Sequence, residues 1–304
     1  MSKAGVNSKA VNLVHRVEVI EVTQLTPGMR RIVFGGDGLE GFVSSGVGDE
    51  YLRLFLPKEG HDEPVLPEPT GDGYWRFPDG VDSTEVRTYT VRAWDPAEGR
   101  LTIDFVVHDG GVAARWALGA QPGHVAGVNT PRGLYAAPED ISWQFLVADA
   151  TGLPAALRLA ERAPAGVRTR VVLEVADAAD EQPVAVPDGV EVNWVHGGNG
   201  HGPSRLEHIV RAGDLPAGAG YVWVAGEAKA TRAVRKYLRH ELTLPSTAYK
   251  VIGYWTENAE QWMERYEALP EELRARLRDM WADETRDLEE VTDEYEATLE
   301  SHGL

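Results

Sequence analysis

The pattern of apolar residues changes once along this chain of 304 residues, near Ile141. Before that point, short stretches alternate apolar and polar residues between turn residues, which predicts antiparallel strands. From Gln144 onward, runs of consecutive apolar residues alternate with helical patterns, which predicts a parallel sheet covered by helices. We therefore expect a β-barrel domain in residues 1–140, an α/β domain with a parallel sheet in residues 141–257, and a C-terminal amphipathic helical extension in residues 258–304.

The first region begins with a predicted hairpin over residues 14–34, turned by Pro27-Gly28. Further strands are predicted over residues 51–56, 85–92 and 101–107, and short strands at this spacing are typical of a closed antiparallel barrel. The ligands of the parallel sheet that follows are expected beyond the carboxyl ends of its strands.

Composition narrows the possible functions. The formal net charge is −18, and a field of that sign repels nucleic acid and anionic lipid, so we expect neither as a partner. The chain contains no cysteine, which excludes cysteine-held zinc and iron–sulfur sites, so any electrons must be carried by an organic cofactor. No apolar run is long enough to cross a membrane and no secretory signal is apparent, so we expect no membrane association and a cytoplasmic location.

The predicted strand over residues 85–92 carries the first candidate site. Because side chains alternate along a strand, Arg87 and Tyr89 leave the same face, where they offer a forked cation and an aromatic plane. Such a face suits the phosphates and flat ring of a dinucleotide such as FAD. Thr90 points to the opposite face of an ideal strand, so it can reach the same ligand only if the chain bends there. The alternative is an ordinary strand with a surface arginine.

A strand that runs through glycines into an alanine-rich helix follows over residues 108–117. The start of such a helix leaves backbone N–H groups free, and these can bind a pyrophosphate. Taken alone, the pattern also fits a plain strand–turn–helix.

Several short motifs resemble those of the siderophore-interacting proteins, a branch of the ferredoxin-reductase superfamily. Arg87-Thr-Tyr-Thr resembles the flavin motif Arg-x-Tyr-Ser/Thr of that superfamily, and the segment from His108 to Ala117 resembles a second flavin-binding segment, with Asp109 and Val112 replacing the usual glycine and proline. The Pro-Arg132-Gly turn, Asp149-x-Thr-x-Leu-Pro, Val-Trp-Val-Ala-Gly-Glu227 and Gly-Tyr-Trp255 also match, in the same order.

The resemblance implies a role for each matching residue. It implies an FAD-binding barrel and an NAD(P)H-binding α/β domain, with iron as substrate and no metal held by protein ligands. The cofactor-binding residues that it implies are Arg87, Tyr89, Thr90, Val91, His108, Gly110, Gly111, Val112, Ala113, Trp116, Asp149 and Thr151. The implied catalytic residues are Tyr89, Thr90, Thr151 and Glu227, and the implied substrate-binding residues are Arg53, Arg132 and Trp255.

The implied activity is reduction of ferric siderophores by FAD, with NADH or NADPH as the electron donor. Two alternatives stay open: a flavin reductase that acts on another acceptor, and a non-enzymatic siderophore-binding carrier. Glu174 and Asp177 follow the second strand of the parallel sheet, where acids accept a ribose hydroxyl and repel a 2′-phosphate, which favours NADH. Lys229 and Arg232, near a later helix, argue for NADPH.

Residues 258–304 repeat apolar residues at helical spacing. This pattern predicts a helix or helix pair that either folds back on its own chain or forms a homodimer. The family commonly has a basic residue directly after Gly-Tyr-Trp, whereas this chain has Thr256. We therefore expect a substrate site that uses Arg53 and Arg132 and tolerates neutral hydroxamate chelates better than anionic catecholates. The alternative is that Arg265 or Lys250 replaces the missing cation in space.

Overall fold

The computed structural model describes residues 12–70, 75–80, 84–108, 110–198, 203–281, 286 and 288–304. Seven antiparallel strands form the first sheet, in the order β6-β3-β9-β1-β2-β8-β7. These strands are β1 (Val14–Thr26), β2 (Met29–Gly35), β3 (Tyr51–Leu56), β6 (Glu85–Thr90), β7 (Ala93–Asp95), β8 (Arg100–Val106) and β9 (Val125–Asn129), and the short pair β4 (Glu68–Pro69) and β5 (Trp75–Arg76) lies in the loop between β3 and β6. The predicted hairpin is confirmed, because β1 pairs with β2 across the Pro27-Gly28 turn.

The barrel predicted as closed is a curved sheet whose two end strands, β6 and β7, are consecutive in the chain. Between them, the backbone N–H of Val91 donates to the Glu50 carbonyl at 2.9 Å, and that of Arg92 donates to the Thr102 carbonyl at 2.9 Å. Val91 therefore bonds to the β3 side of the sheet and Arg92 to the β8 side. The chain itself thus crosses the gap between the two ends of the sheet. The crossing comes directly after Thr90, so it does not turn the Thr90 side chain to the face of Arg87 and Tyr89.

The second sheet is parallel, as predicted, and has the order β12-β11-β10-β13-β14. Its strands are β10 (Trp143–Ala148), β11 (Arg168–Val175), β12 (Val190–His196), β13 (Gly220–Glu227) and β14 (Tyr249–Trp255). The helices up to this point are α1 (Val112–Gly119), α2 (Leu153–Glu161), α3 (Leu206–Ala212) and α4 (Ala228–Lys236). The two sheets contain different strands, and the change from antiparallel to parallel lies between Asn129 and Trp143.

The buried side chains of Trp223 and Arg158 join the halves through three polar contacts. The indole N–H of Trp223 on β13 donates to Asp49 at 2.9 Å, and both residues are fully buried. The guanidinium of Arg158 on α2 forms an ion pair with Glu50 at 2.7 Å and donates to the carbonyl of Val91 at 2.7 Å. A buried charge without a partner is costly. Arg158, Glu50 and Asp49 must therefore keep their partners, and these directional bonds fix how the two halves contact each other.

The extension forms three helices, α5 (Ala259–Glu267), α6 (Glu271–Asp279) and α7 (Leu288–Ser301). Their apolar residues form a cluster of their own around Leu277, Met280, Val291 and Leu299. The acidic face of α7 pairs with the basic face of α4, and Glu296 contacts Arg235 and lies 4.0 Å from Arg232. The extension thus folds back on its own chain, which is the first of the two arrangements that its sequence allows.

Candidate functional site

The strand register assigns the motif residues of β6 to two faces. Tyr89 pairs with Leu52 and Arg87 pairs with Leu54, whereas Thr90 pairs with Tyr51. Directly paired residues of an antiparallel ladder project to the same side. Arg87 and Tyr89 therefore share one face, as predicted, and Thr90 lies on the other.

Tyr89 joins a row of aromatic rings that runs from β6 to α1. Its ring centre lies 4.4 Å from that of Phe105, which in turn lies 5.9 Å from Trp116. Burial raises the pKa of the Tyr89 phenol above its usual value, the nearby Arg87 lowers it by less, and the side chain therefore stays neutral. A neutral, half-buried ring at the edge of an aromatic row suits stacking on a flat cofactor.

Arg87 has an exposed side chain that already has a carboxylate partner. Its guanidinium lies 3.0 Å from Glu85 and donates to the Val86 carbonyl at 2.9 Å. This exposed pair is worth little, so a phosphate with more charge can replace Glu85 as the partner.

The start of α1 has the features of a phosphate site. Gly111 precedes the helix, and within the described residues no side chain caps the free N–H groups of the first turn. Gly110 and Gly111 have φ values of +146° and +71°, which side chains other than glycine rarely adopt. Val112 and Ala113 form the first turn of the helix, and Trp116 follows one turn later with its ring near Phe34 and Phe105. Asp109 lies outside the described residues. The backbone here fits a pyrophosphate, which is the group that FAD would present.

Asp149 ties together the carboxyl ends of three strands of the parallel sheet. One carboxylate oxygen accepts the backbone N–H groups of Thr151 at 2.8 Å and Gly152 at 3.3 Å and the hydroxyl of Thr151 at 2.6 Å. The other oxygen accepts the N–H of Glu227 at 2.9 Å and the indole N–H of Trp255 at 2.7 Å. Burial raises the pKa of Asp149, and these hydrogen bonds oppose the rise. The Asp-x-Thr motif therefore does hold the turn before α2, which is its plain structural interpretation.

Thr151 and Glu227 are positioned by this carboxylate. The Thr151 hydroxyl donates to Asp149, and the Glu227 side chain caps α4 by accepting the N–H of Ala230 at 2.8 Å. Both residues lie at the carboxyl edge of the sheet, where parallel sheets bind ligands.

The predicted substrate cations lie on the Thr90 face of the antiparallel sheet. Tyr51 exchanges two backbone hydrogen bonds with Arg132, at 2.8 and 2.9 Å, and Arg53 follows Tyr51 by two residues. Arg53 and Arg132 therefore share the side of Tyr51 and Thr90. Both arginines are exposed, and the Arg53 side chain donates to the hydroxyl of Thr88. Trp255 is the exception, because its indole N–H is already bound to Asp149.

Two sequence-based assignments need correction. Glu174 is fully buried and accepts the N–H of Arg205 at 2.8 Å and the hydroxyl of Ser204 at 3.2 Å, so it does not await a ribose hydroxyl. Asp177 caps a short helical turn through the N–H of Ala179. The acid-based argument for NADH is therefore wrong.

Val91 is fully buried and both of its backbone polar groups have partners in the protein, which removes it from polar contact with a cofactor.

One residue near this site was not predicted. Tyr254 precedes Trp255 on β14, and its hydroxyl lies beside Thr90. Consecutive side chains of a strand point to opposite faces, so the alternation along β14 could have predicted that Tyr254 and Trp255 lie on different sides of the parallel sheet.

Comparisons with known proteins agree on one family. The profile of the siderophore-interacting FAD-binding domain matches residues 18–135, and that of the siderophore-interacting protein matches residues 141–258. The NADPH-dependent ferric-chelate reductase of Escherichia coli is 33% identical over 78% of this chain and 91% of its own length. The ferric vibriobactin reductase ViuB of Vibrio cholerae is 28% identical over 79% of this chain and 88% of its own. The crystal structure of a siderophore utilization protein from T. fusca superposes with a TM-score of 0.73 and 35% identity, covering 81% of this chain and 94% of that one.

Within the described residues, no helix combines the length and the apolar character that crossing a membrane requires.

Proposed function

The chain belongs to the siderophore-interacting protein family, and from that premise we propose that it is an FAD-dependent reductase that takes electrons from NAD(P)H and reduces the iron of ferric siderophores. The carrying observation is that Thr90, which ends the flavin motif, shares a sheet face with the exposed cations Arg53 and Arg132. An anionic chelate bound by these arginines would therefore lie on the side of the sheet served by Thr90. The names of the E. coli and V. cholerae relatives, both ferric reductases, support this activity.

Residues of both halves would hold the cofactor. Arg87 and the backbone N–H groups of Gly110, Gly111, Val112 and Ala113 would bind the pyrophosphate, while His108 and Trp116 flank that turn. Because β6 is an end strand, a flavin ring at its free edge could meet both faces, with Tyr89 stacking on the ring and Thr90 hydrogen-bonding to its edge. Bound FAD supplies a carrier that accepts a hydride and passes on single electrons. Thr151 and Glu227, fixed by Asp149, would position the nicotinamide.

Iron enters as substrate. A siderophore holds Fe(III) through hard oxygen ligands and holds Fe(II) weakly, so reduction releases the metal. Thr256 stands where the family commonly has a third cation, which weakens the local positive field unless Arg265 or Lys250 replaces that cation in space. Surface charges act mainly within about 8 Å at physiological salt. We expect neutral hydroxamate chelates to be reduced faster than anionic catecholates, and Thr256→Arg to raise the catecholate rate. A faster catecholate rate in the wild type, unchanged by the substitution, contradicts this reading of the site.

NADPH is the donor that we propose. The buried position of Glu174 removes the carboxylate that would repel a 2′-phosphate, and the E. coli relative is named as NADPH-dependent. Single-turnover reduction of the bound flavin by each donor tests this, and a clear preference for NADH rejects it.

The decisive experiment purifies the protein, measures its bound flavin and follows flavin reoxidation by a panel of ferric chelates and free flavins. Ferric siderophores should reoxidise the flavin fastest. Faster reoxidation by a free flavin or another iron chelate favours the first alternative, a reductase with a different acceptor. Purified protein that binds a siderophore but neither contains nor takes up FAD favours the carrier.

Location and assembly are further proposals. We propose a cytoplasmic enzyme, which fractionation of cells would test. A homodimer through the extension stays a prediction, although the extension already packs its apolar cluster and its acids within one chain. The mass in solution, measured by analytical ultracentrifugation, decides between monomer and dimer.

A further inference from the structure

The side chain of Tyr254 ends in an unusual position for a tyrosine. Its ring packs against the core between the parallel sheet and α2, and its hydroxyl oxygen is buried. Within the part of the chain that the structure describes, no hydrogen bond of standard geometry reaches that oxygen, and the Thr90 hydroxyl interacts with it only weakly. A buried polar atom without a partner costs about 1–3 kcal/mol, so such atoms are rare unless a ligand or water completes them.

The hydroxyl lies at the junction between the two halves, beside Thr90. Burial raises the pKa of the Tyr254 phenol, the neighbouring Asp49 raises it further, and the Thr90 hydroxyl lowers it by less. The phenol is therefore neutral and keeps its proton for donation. Thr90 itself is 6% exposed, and its hydroxyl interacts with that of Tyr254 without reaching standard hydrogen-bond geometry, so the Tyr254 proton is still available to a better acceptor.

Tyr51 extends this group of hydroxyls. It pairs with Thr90 across the β3–β6 ladder and lies close enough to Tyr254 to affect its titration. The orphan hydroxyl therefore approaches the face of the sheet that carries Thr90, Arg53 and Arg132, from the opposite half of the molecule.

We propose that the Tyr254 hydroxyl donates a hydrogen bond to the isoalloxazine ring of bound FAD, at the edge that Thr90 serves. That edge of a flavin offers carbonyl and ring-nitrogen acceptors, which match a neutral phenol donor. The inference rests on the proposed function, since it requires that FAD binds with its ring at Thr90. It makes Tyr254, on the NAD(P)H-binding half, a direct contact of the flavin.

The test compares Tyr254→Phe with Tyr135→Phe, each with and without FAD. Tyr135 is the matched control because its hydroxyl donates to Gln144 at 2.5 Å, inside the protein. In Tyr254→Phe we expect FAD affinity to fall about 3- to 10-fold, which is the usual worth of one hydrogen bond. The visible absorption of the bound flavin should also shift.

The two variants should differ in the sign of their effect on stability. Without FAD, Tyr254→Phe removes an unsatisfied hydroxyl and should leave the Tm unchanged or raise it, whereas with FAD it should lower the Tm. Tyr135→Phe should lower the Tm equally in both states and leave FAD affinity and absorption unchanged.

Three results would overturn the inference. Wild-type FAD affinity and absorption in Tyr254→Phe would show that the hydroxyl does not touch the flavin. An equal loss of Tm with and without FAD would show that the hydroxyl has its partner in the protein. Failure of the wild-type protein to bind FAD would remove the proposed function and this inference together, so the first result alone separates the two.

Discussion

Replacement of Asp149 by asparagine should cost more stability than any other change of a single atom at the carboxyl edge of the parallel sheet. The carboxylate accepts hydrogen bonds from Thr151, Gly152, Glu227 and Trp255, and it is 1% exposed. An asparagine that keeps its oxygen toward the Thr151 turn turns its NH₂ group toward the two N–H donors of Glu227 and Trp255. Donors then face donors, and both of those bonds are lost.

The magnitude follows from that geometry. Hydrogen bonds to a charged group are worth about 1.5–3 kcal/mol each, so loss of two gives about 3–6 kcal/mol. Burial raises the pKa of Asp149, which means that the fold pays to keep the charge, and the neutral asparagine recovers part of that cost. We expect a net loss of about 2–4 kcal/mol in the free energy of unfolding.

Urea unfolding followed by tryptophan fluorescence measures the loss, with Asp177→Asn as control. Asp177 accepts a single N–H from Ala179 at 2.7 Å on the surface, and asparagine caps a helical turn nearly as well, so this control should change stability by less than about 0.5 kcal/mol. Stopped-flow reduction of the flavin by NADPH should slow in Asp149→Asn alone, because Glu227 and Trp255 lose their anchor. The reasoning fails if Asp149→Asn is no less stable than Asp177→Asn.

Three further changes test other parts of the structure. Arg87→Ala should weaken FAD binding by about 1.5–3 kcal/mol through loss of a charge-assisted phosphate contact, and unchanged affinity in fluorescence titration would remove Arg87 from the site. Burial raises the pKa of Glu174 from 4.5 to about 7, so the unfolded chain releases this proton at lower pH than the folded one and stability falls as pH rises between those values. Glu174→Gln should lack this fall. Relative to the wild type, its free energy of unfolding in urea should therefore rise by about 2–3 kcal/mol as the pH is raised from 4.5 to 8, and parallel pH profiles of the two proteins would contradict this. Glu296→Gln should cost about 1–3 kcal/mol because Arg235 beside it is buried, whereas exposed Glu294→Gln should cost less than about 0.5 kcal/mol, and equal rates of proteolysis of the extension in the two variants would refute the difference.

Local patterns were enough to predict the elements of the fold. The alternation on both sides of Pro27-Gly28 predicted the first hairpin, and the run over residues 144–148 predicted the first parallel strand, which the structure begins one residue earlier. These signals work because side-chain period and turn residues act over a few positions. The pairing of Arg87 and Tyr89 on one face followed from the same period.

The environment of the acids could not be predicted in this way. Asp149 and Glu174 both stand at the carboxyl ends of apolar strands, and only Asp149 has local partners, in the Asp-x-Thr turn. Other partners of both acids come from far along the chain: Trp255 is 106 residues from Asp149, and Arg205 is 31 residues from Glu174. Whether a carboxylate meets solvent or a buried donor is decided by tertiary packing, which a local pattern does not contain.

The way in which the antiparallel sheet closes could not be predicted, for a related reason. Neither Val91 nor Arg92 is a residue type that marks a turn. The two residues nevertheless hydrogen-bond to opposite edges of the sheet. Their conformation is imposed by the two edges that they join. The fold class was correct, but the way in which the gap is crossed depends on the register of strands that are distant in sequence.

The bonds of Arg158 bear on how such enzymes can be recombined. This side chain of the NAD(P)H-binding half reaches the carbonyl of Val91, the residue directly after the flavin motif, and pairs with Glu50 beside it. The halves are therefore not interchangeable parts. A chimera that took its second half from a relative without an arginine at this place would leave the buried Glu50 with its serine hydrogen bonds but without a counter-charge, so such a graft would have to exchange both residues together.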